Sequence, residues 1–168
     1  MEVLDKKRWW DYVEPDLQEL LKESLLLVDI LTGLGADLPG GKRKFHDYSF
    51  VVFPAAKAYE GFLKKLFLDL KFINEDDYYG KHFRIGKALN PTLPKEIRNE
   101  HWVYKKVTDC CGGKDLADKL WDTWRVSRNL VFHWFPDEKK AITLSEAGER
   151  VNLIIEAMDM AFEECRIR

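Results

Sequence analysis

The strongest constraint in the chain is the apolar row Tyr59, Phe62, Leu63, Leu66, Phe67, Leu70 and Ile73. Its intervals of three and four residues put every member on one side of an α-helix. A strand would scatter the same residues over both of its faces. A row this wide needs other helices to cover it, so it predicts a helical core. Phe50, Val51 and Phe53 lead into the row through Pro54, which either kinks the helix or sits in its first turn. Asp47 is placed to cap the start.

Three further long helices follow from the same periodicity. Glu14-Pro15-Asp16 reads as a helix start, with proline in the first turn and acids at the positive end. Leu17, Leu20, Leu21, Leu25, Val28 and Leu31 continue it, and Gly33 and Gly35 stop it. Leu26, Leu27 and Ile30 widen that face and predict a helix covered on two sides. Leu116, Leu120, Trp121, Trp124 and Val131 mark another helix, which must stop by Phe135, before Pro136. Thr143 and Glu146 form a capping box for a last helix carrying Ala147, Val151, Ile154, Met158, Ala161, Phe162 and Cys165. Between them, 74–77 reads as an acidic turn, 78–89 as one short helix, 94–109 as another and 110–113 as a turn. No strand pattern or internal repeat is present. The expectation is an all-α bundle of four long helices plus short helices, one domain over 1–168. Residues 1–13 form an N-terminal arm whose Trp9, Trp10 and Tyr12 dock on the chain's own core or on a partner.

Composition narrows the function. A net charge of −2 excludes a generally basic nucleic-acid binder, so any RNA contact must come from local patches. The three cysteines, Cys110, Cys111 and Cys165, make no disulfide framework, and the odd count fits a reducing compartment. They lack the paired spacing of a zinc site. Met1 to Trp10 has no signal-peptide character, and no apolar run reaches membrane-spanning length. The chain is therefore expected in the cytoplasm, with no metal, no cofactor and no membrane association. The basic run in residues 38–44 (LPGGKRK) is either a solvated loop or a phosphate contact.

Chemistry concentrates in Arg125 to Pro136. Arg128 offers a planar fork of donors to a phosphate, and His133 can take or give a proton near neutral pH. Together they suit cleavage of an RNA phosphodiester: His133 moves protons at the ribose 2′-OH and the leaving 5′-oxygen, and Arg128 stabilises the phosphorane. Asn129, four residues before His133, shares its helix face and can orient the imidazole or the phosphate. Arg125 adds a further phosphate contact. Residues five apart on a regular α-helix differ by about 140°, so Arg128 and His133 converge only if the helix bends or ends before Pro136. The plain alternative is a helix-end histidine beside solvated arginines. Glu60 reads from spacing as a surface acid paired with Lys64 at i+4. Lys64, with Lys81 and Arg84 from the aromatic and basic stretch 78–89, is otherwise a candidate RNA contact.

Arg128-Asn129-x-x-x-His133 near the end of the penultimate long helix resembles the R-x4-6-H motif of HEPN-domain ribonucleases. The stretches DYSFVVFPAAKAYEGFLKKLF and GKHFRIGKALNP resemble the HEPN domain of RnlA/LsoA (RNase LS)-type toxins. The resemblance covers roughly residues 14–166. It implies a metal-independent endoribonuclease toxin of a toxin–antitoxin or phage-defence system. It implies a homodimer with both motifs lining one cleft, and inhibition by a cognate antitoxin protein. It assigns Arg128, His133 and Asn129 to the site and adds Glu60 from the second long helix. Phe135 stands where a related branch carries a tyrosine that is modified. Such toxins also carry N-terminal domains absent from these residues. The alternative is a catalytically silent HEPN-like dimerisation or nucleotide-binding interaction module.

Overall fold

The computed structural model describes residues 4–35, 45–133, 136 and 141–165. The basic run in 38–44 and Phe135 lie outside the described residues. Helix α1 spans Pro15–Gly35 and α2 spans Ser49–Asp69. Short helices α3 (Glu75–Tyr79), α4 (Ile85–Ala88) and α5 (Val103–Cys110) follow. Helix α6 (Gly113–Trp124) passes into a π-helical turn at Arg125–Asn129 and then into α7 (Leu130–Phe132). Helix α8 (Leu144–Glu164) closes the chain. The described residues are all-α, and none of their helices is long and apolar enough to cross a membrane.

Helix α2 is the hub, packed on both α1 and α8, with α6 against α8. Its row behaves as the periodicity requires: Tyr59, Phe62, Leu63, Leu66 and Phe67 are buried. Val151, Ile154 and Met158 of α8 and Leu116 and Leu120 of α6 complete the core. Pro54 lies inside α2, past the first turn. There the Ala55 N–H donates to Ser24 Oγ of α1 at 2.9 Å, a bond buried at the helix interface. A buried N–H left unpaired would cost about 1–3 kcal/mol. Asp47 accepts from both Ser49 N–H and Ile142 N–H at 3.1 Å, tying the start of α2 to the segment before α8. The Thr143–Glu146 capping box is present.

The arm folds onto its own bundle. Trp9 is buried, meets Phe62 edge to face, and donates through Nε1 to Asp159 of α8 at 2.6 Å.

Several expectations need correction. Leu26 and Ile30 are 56% and 48% exposed, so α1 is covered on one side, because α2 and α8 reach only its Leu21 and Leu31 face. The acidic turn is itself a helix: Asn74 and Asp77 form a reciprocal capping box that starts α3. The single helix over 78–89 is instead the end of α3 and a separate α4, with Gly80 between them in extended conformation. Over 94–109, a 3-10 turn at Lys95–Ile97 precedes α5. Cys111 and Cys165, far apart in sequence, are joined in a disulfide with Cα atoms 4.5 Å apart, while Cys110 is exposed. The odd cysteine count therefore carries no argument about compartment.

Candidate functional site

The candidate site is built on the π-helical turn. In it the Leu130 N–H donates to the Arg125 carbonyl, five residues back instead of four. Widening the ladder in this way strands backbone groups, and α8 supplies a partner for one of them. The Arg150 guanidinium donates through Nη1 to the Val126 carbonyl. Ser127, fully buried, donates through Oγ to the Arg150 carbonyl at 3.4 Å. Arg150 Nε is buried without a partner among the described residues. The turn is thus clamped by one side chain of another helix. Val126, Ser127 and Asn129 are all weak helix formers, which lowers the cost of the departure.

The helix ends at Phe132, and His133 takes an extended backbone with φ −104° and ψ 135°. Two departures from a regular helix, the π turn and this early stop, remove the roughly 140° separation of Arg128 and His133. Both residues line one hollow of about 250 Å³ with Glu60. Helix α2 adds Phe53, Ala56 and Lys57, and α7 adds Phe132.

Each wall has a local cause. Phe53, Lys57 and Glu60 stand at i, i+4 and i+7, on the side of α2 opposite its buried row. Tyr59, the next residue round, anchors the helix by donating its phenol to the Leu120 carbonyl of α6 at 3.1 Å. Complete burial pushes that phenol well above its usual range, so it remains a donor. Phe53 and Phe132 meet edge to face with centroids 5.5 Å apart and join α2 to α7 across the hollow. The Arg128 guanidinium carbon lies 5.1 Å from the Trp124 ring centroid, which holds the charge at the mouth. Lys57 Nζ sits 5.9 Å from the Phe53 ring.

The hollow therefore combines two cations, one carboxylate and one imidazole between aromatic walls. Such a set can hold an anion and move a proton beside it. No group of three or more metal-ligating side chains occurs among the described residues.

The structure brings together three of the expected residues, Arg128, His133 and Glu60. The others stand elsewhere. Asn129 is half-buried at the end of the π turn and does not line the hollow. Arg125 is exposed and paired with Asp122 at 3.3 Å. Lys64 lies one turn beyond Glu60 on α2, and no ion pair joins the two, so the surface-pair reading of Glu60 is set aside. Lys81 and Arg84 lie before α4; the Arg84 guanidinium donates to the Lys81 carbonyl, and Arg84 lines a different hollow. Lys57 was missed. The signal was available: it sits between Phe53 and Glu60 on the exposed face of the most clearly periodic helix. No protein-family model, no curated protein and no solved structure matches the chain.

Proposed function

We propose that this protein is a metal-independent endoribonuclease of the HEPN type, a toxin of a toxin–antitoxin or phage-defence system. The observation that carries the reading is the meeting of Glu60, Arg128 and His133 in one hollow at a π-helical turn. Arg128 and Lys57 hold the scissile phosphate. The ribose 2′-oxygen attacks phosphorus and gives up its proton, and the P–O5′ bond breaks as the leaving oxygen gains one. The products are a 2′,3′-cyclic phosphate and a 5′-hydroxyl end. Two proton-carrying groups serve this better than one. Within a protomer they are His133 and Glu60; in a dimer the partner's His133 is a second source.

A homodimer is supported by an exposed apolar row. Leu26, Ile30 and Leu34 of α1, with Phe45, Phe50 and Phe53 around the start of α2, are between 41% and 56% exposed. The antiparallel register set by the Ser24–Ala55 bond places Leu26 beside Phe53 and Ile30 beside Phe50. Exposed apolar side chains gathered on neighbouring helices suit an association surface. It runs up to Phe53, a wall of the hollow, so pairing through it would set two hollows side by side. A cognate antitoxin protein would act by covering the same mouth. We place the activity in the cytoplasm, where Cys111 and Cys165 would be held reduced. Thiol trapping in intact cells checks this, and a fully oxidised pair counts against that compartment.

The test is digestion of mixed RNA in EDTA beside His133→Ala. Cleavage by wild type alone supports the reading; equal cleavage by both, or none by wild type, sinks it. Light scattering on wild type and Ile30→Glu tests the dimer, and a wild type that is only monomeric at micromolar concentration refutes it. The second reading, a silent HEPN-like dimerisation or nucleotide-binding module, is favoured by the same apolar row. Binding of RNA without cleavage would select it.

A further inference from the structure

A second hollow, of about 210 Å³, lies beside α4. Its polar lining is Asp77, His82, Arg84, Lys87, Asn99 and His101. Phe83 and Ala88, both buried, form its floor.

His101 is the best-held group in it. Its Nδ1 lies 3.2 Å from Asp77 Oδ1, and its Nε2 lies 3.3 Å from Glu100 Oε1. The two carboxylates differ in freedom. Asp77 is fixed by the capping box of α3 and its side chain is 16% exposed, whereas the Glu100 side chain is 79% exposed. The place at Nε2 thus already accepts an anionic oxygen, and the one occupying it is free to swing out. Arg84 and Lys87 stand three residues apart at α4 and add two cations to the rim. Asp77, the carboxylate in the lining, is engaged with His101. An anion entering the hollow thus meets two rim cations, although the whole chain carries a net charge of −2 and α3 brings Glu75 and Asp76 nearby.

We propose that this hollow binds a phosphate group. One phosphate oxygen replaces Glu100 on His101 Nε2, and Arg84 and Lys87 take the others. The volume is below the range of about 300–1,000 Å³ usual for whole small-molecule ligands, so it fits a phosphate with its sugar and not a dinucleotide. The phosphate has two possible sources, an RNA strand or a free 5′-nucleotide. The strand source rests on the ribonuclease reading, and phosphate binding itself does not. Proximity makes the strand source feasible. A Cβ on Gly86, between Arg84 and Lys87, would come within 2.8 Å of Trp124 Nε1, and Arg128 covers that same indole. Gly86 of α4 and Arg128 of the first hollow thus stand near one tryptophan ring.

The experiment is titration of the full chain, followed by amide chemical shifts. The probes are inorganic phosphate, adenosine 5′-monophosphate and a 5′-phosphorylated trideoxynucleotide, which lacks the 2′-OH needed for cleavage. Arg84 and Lys87 are exposed, so Arg84→Ala/Lys87→Ala should keep its fold, with circular dichroism as the check. We expect saturable binding that falls about tenfold or more in that variant, the loss of charge-assisted hydrogen bonds. Glu100→Gln should bind phosphate more tightly, because it removes the competing carboxylate. His133→Ala should bind as wild type does, whatever it does to cleavage. Tighter binding of the trideoxynucleotide than of the mononucleotide supports the strand source, and equal binding supports a free nucleotide. Absence of saturable binding of all three probes at about 10 mM overturns the proposal. So does equal affinity in Arg84→Ala/Lys87→Ala, or weaker binding in Glu100→Gln.

Discussion

The hollow at the π turn and the hollow beside α4 hold the same kinds of side chain: an arginine, a lysine, an acid and histidine. Their frames differ. The first is cut into long helices, and its geometry comes from one irregular turn clamped by Arg150. Its walls include Phe53 and Phe132, continuous with an exposed apolar row. The second is assembled from short helices and connecting segments, and its His101 is held by Asp77 of a capping box and by the exposed Glu100. Its only aromatic floor, Phe83, is buried. Residue types alone do not distinguish the two hollows; the frame does. On the functions proposed above, the rigid helical frame beside the exposed apolar row would serve chemistry, and the rim of exposed cations would serve capture.

The largest effect that would break this comparison is on cleavage. His133→Ala and Arg128→Ala should each lower RNA cleavage by about 10²–10⁴-fold, the range for losing a proton-transfer or charge-stabilising group. Glu60→Gln should lower it as well, since the amide can no longer take up a proton. Comparable losses in Arg84→Ala/Lys87→Ala would erase the distinction between the hollows. Next comes the disulfide. Cys111 ends α5, whose other end adjoins Asn99 and His101. With the paired cysteines 54 positions apart in sequence, the chain-entropy relation puts the bond at about 4 kcal/mol. In the oxidised protein, Cys165→Ala should lower the melting temperature and loosen the second hollow more than the first; an unchanged melt would show that the bond carries no stability. Arg150→Met should cost about 1–3 kcal/mol by leaving the Val126 carbonyl unpaired. It should reduce cleavage while phosphate binding at the second hollow stays intact, and full activity would show that the π turn needs no clamp.

The smallest effect is a titration. Asp118 of α6 accepts from Tyr104 of α5 at 2.6 Å and pairs with Lys114. Lys114, then Tyr104, holds its carboxyl below the usual range. A lowered folded-state value contributes stability above the ordinary carboxylate pKa of about 3.9 and loses it as pH falls through the folded value. Asp118→Asn should therefore melt slightly lower than wild type at neutral pH. The gap should close as pH falls through the lowered folded-state value, where both states become protonated. A gap that persists there would assign the effect to packing.

Much of the fold was legible because it is periodic. The row from Tyr59 to Phe67, the Thr143–Glu146 box and the proline near the end of the α6 segment each act through neighbours within a turn or two. The overestimate at Leu26 and Ile30 has the same origin: periodicity says which side is apolar, not whether a neighbour covers it. The site was half legible. Arg128 and His133 were visible as types, but their convergence depends on a π turn held by Arg150, a residue more than twenty positions away. Lys57 was visible on its face and was passed over because one lysine on a helix surface is ordinary.

By itself, then, the sequence determined an all-α chain, its four long helices and the identity of the groups able to do chemistry, because helix formation, capping and breaking are local. Tertiary packing decided the rest. It set α8 against the π turn and joined Cys111 to Cys165. It left one face of α1 bare, and it gathered Glu60 from one helix with Arg128 and His133 from another. Those outcomes depend on contacts between residues far apart in the chain, which no short window of residues records.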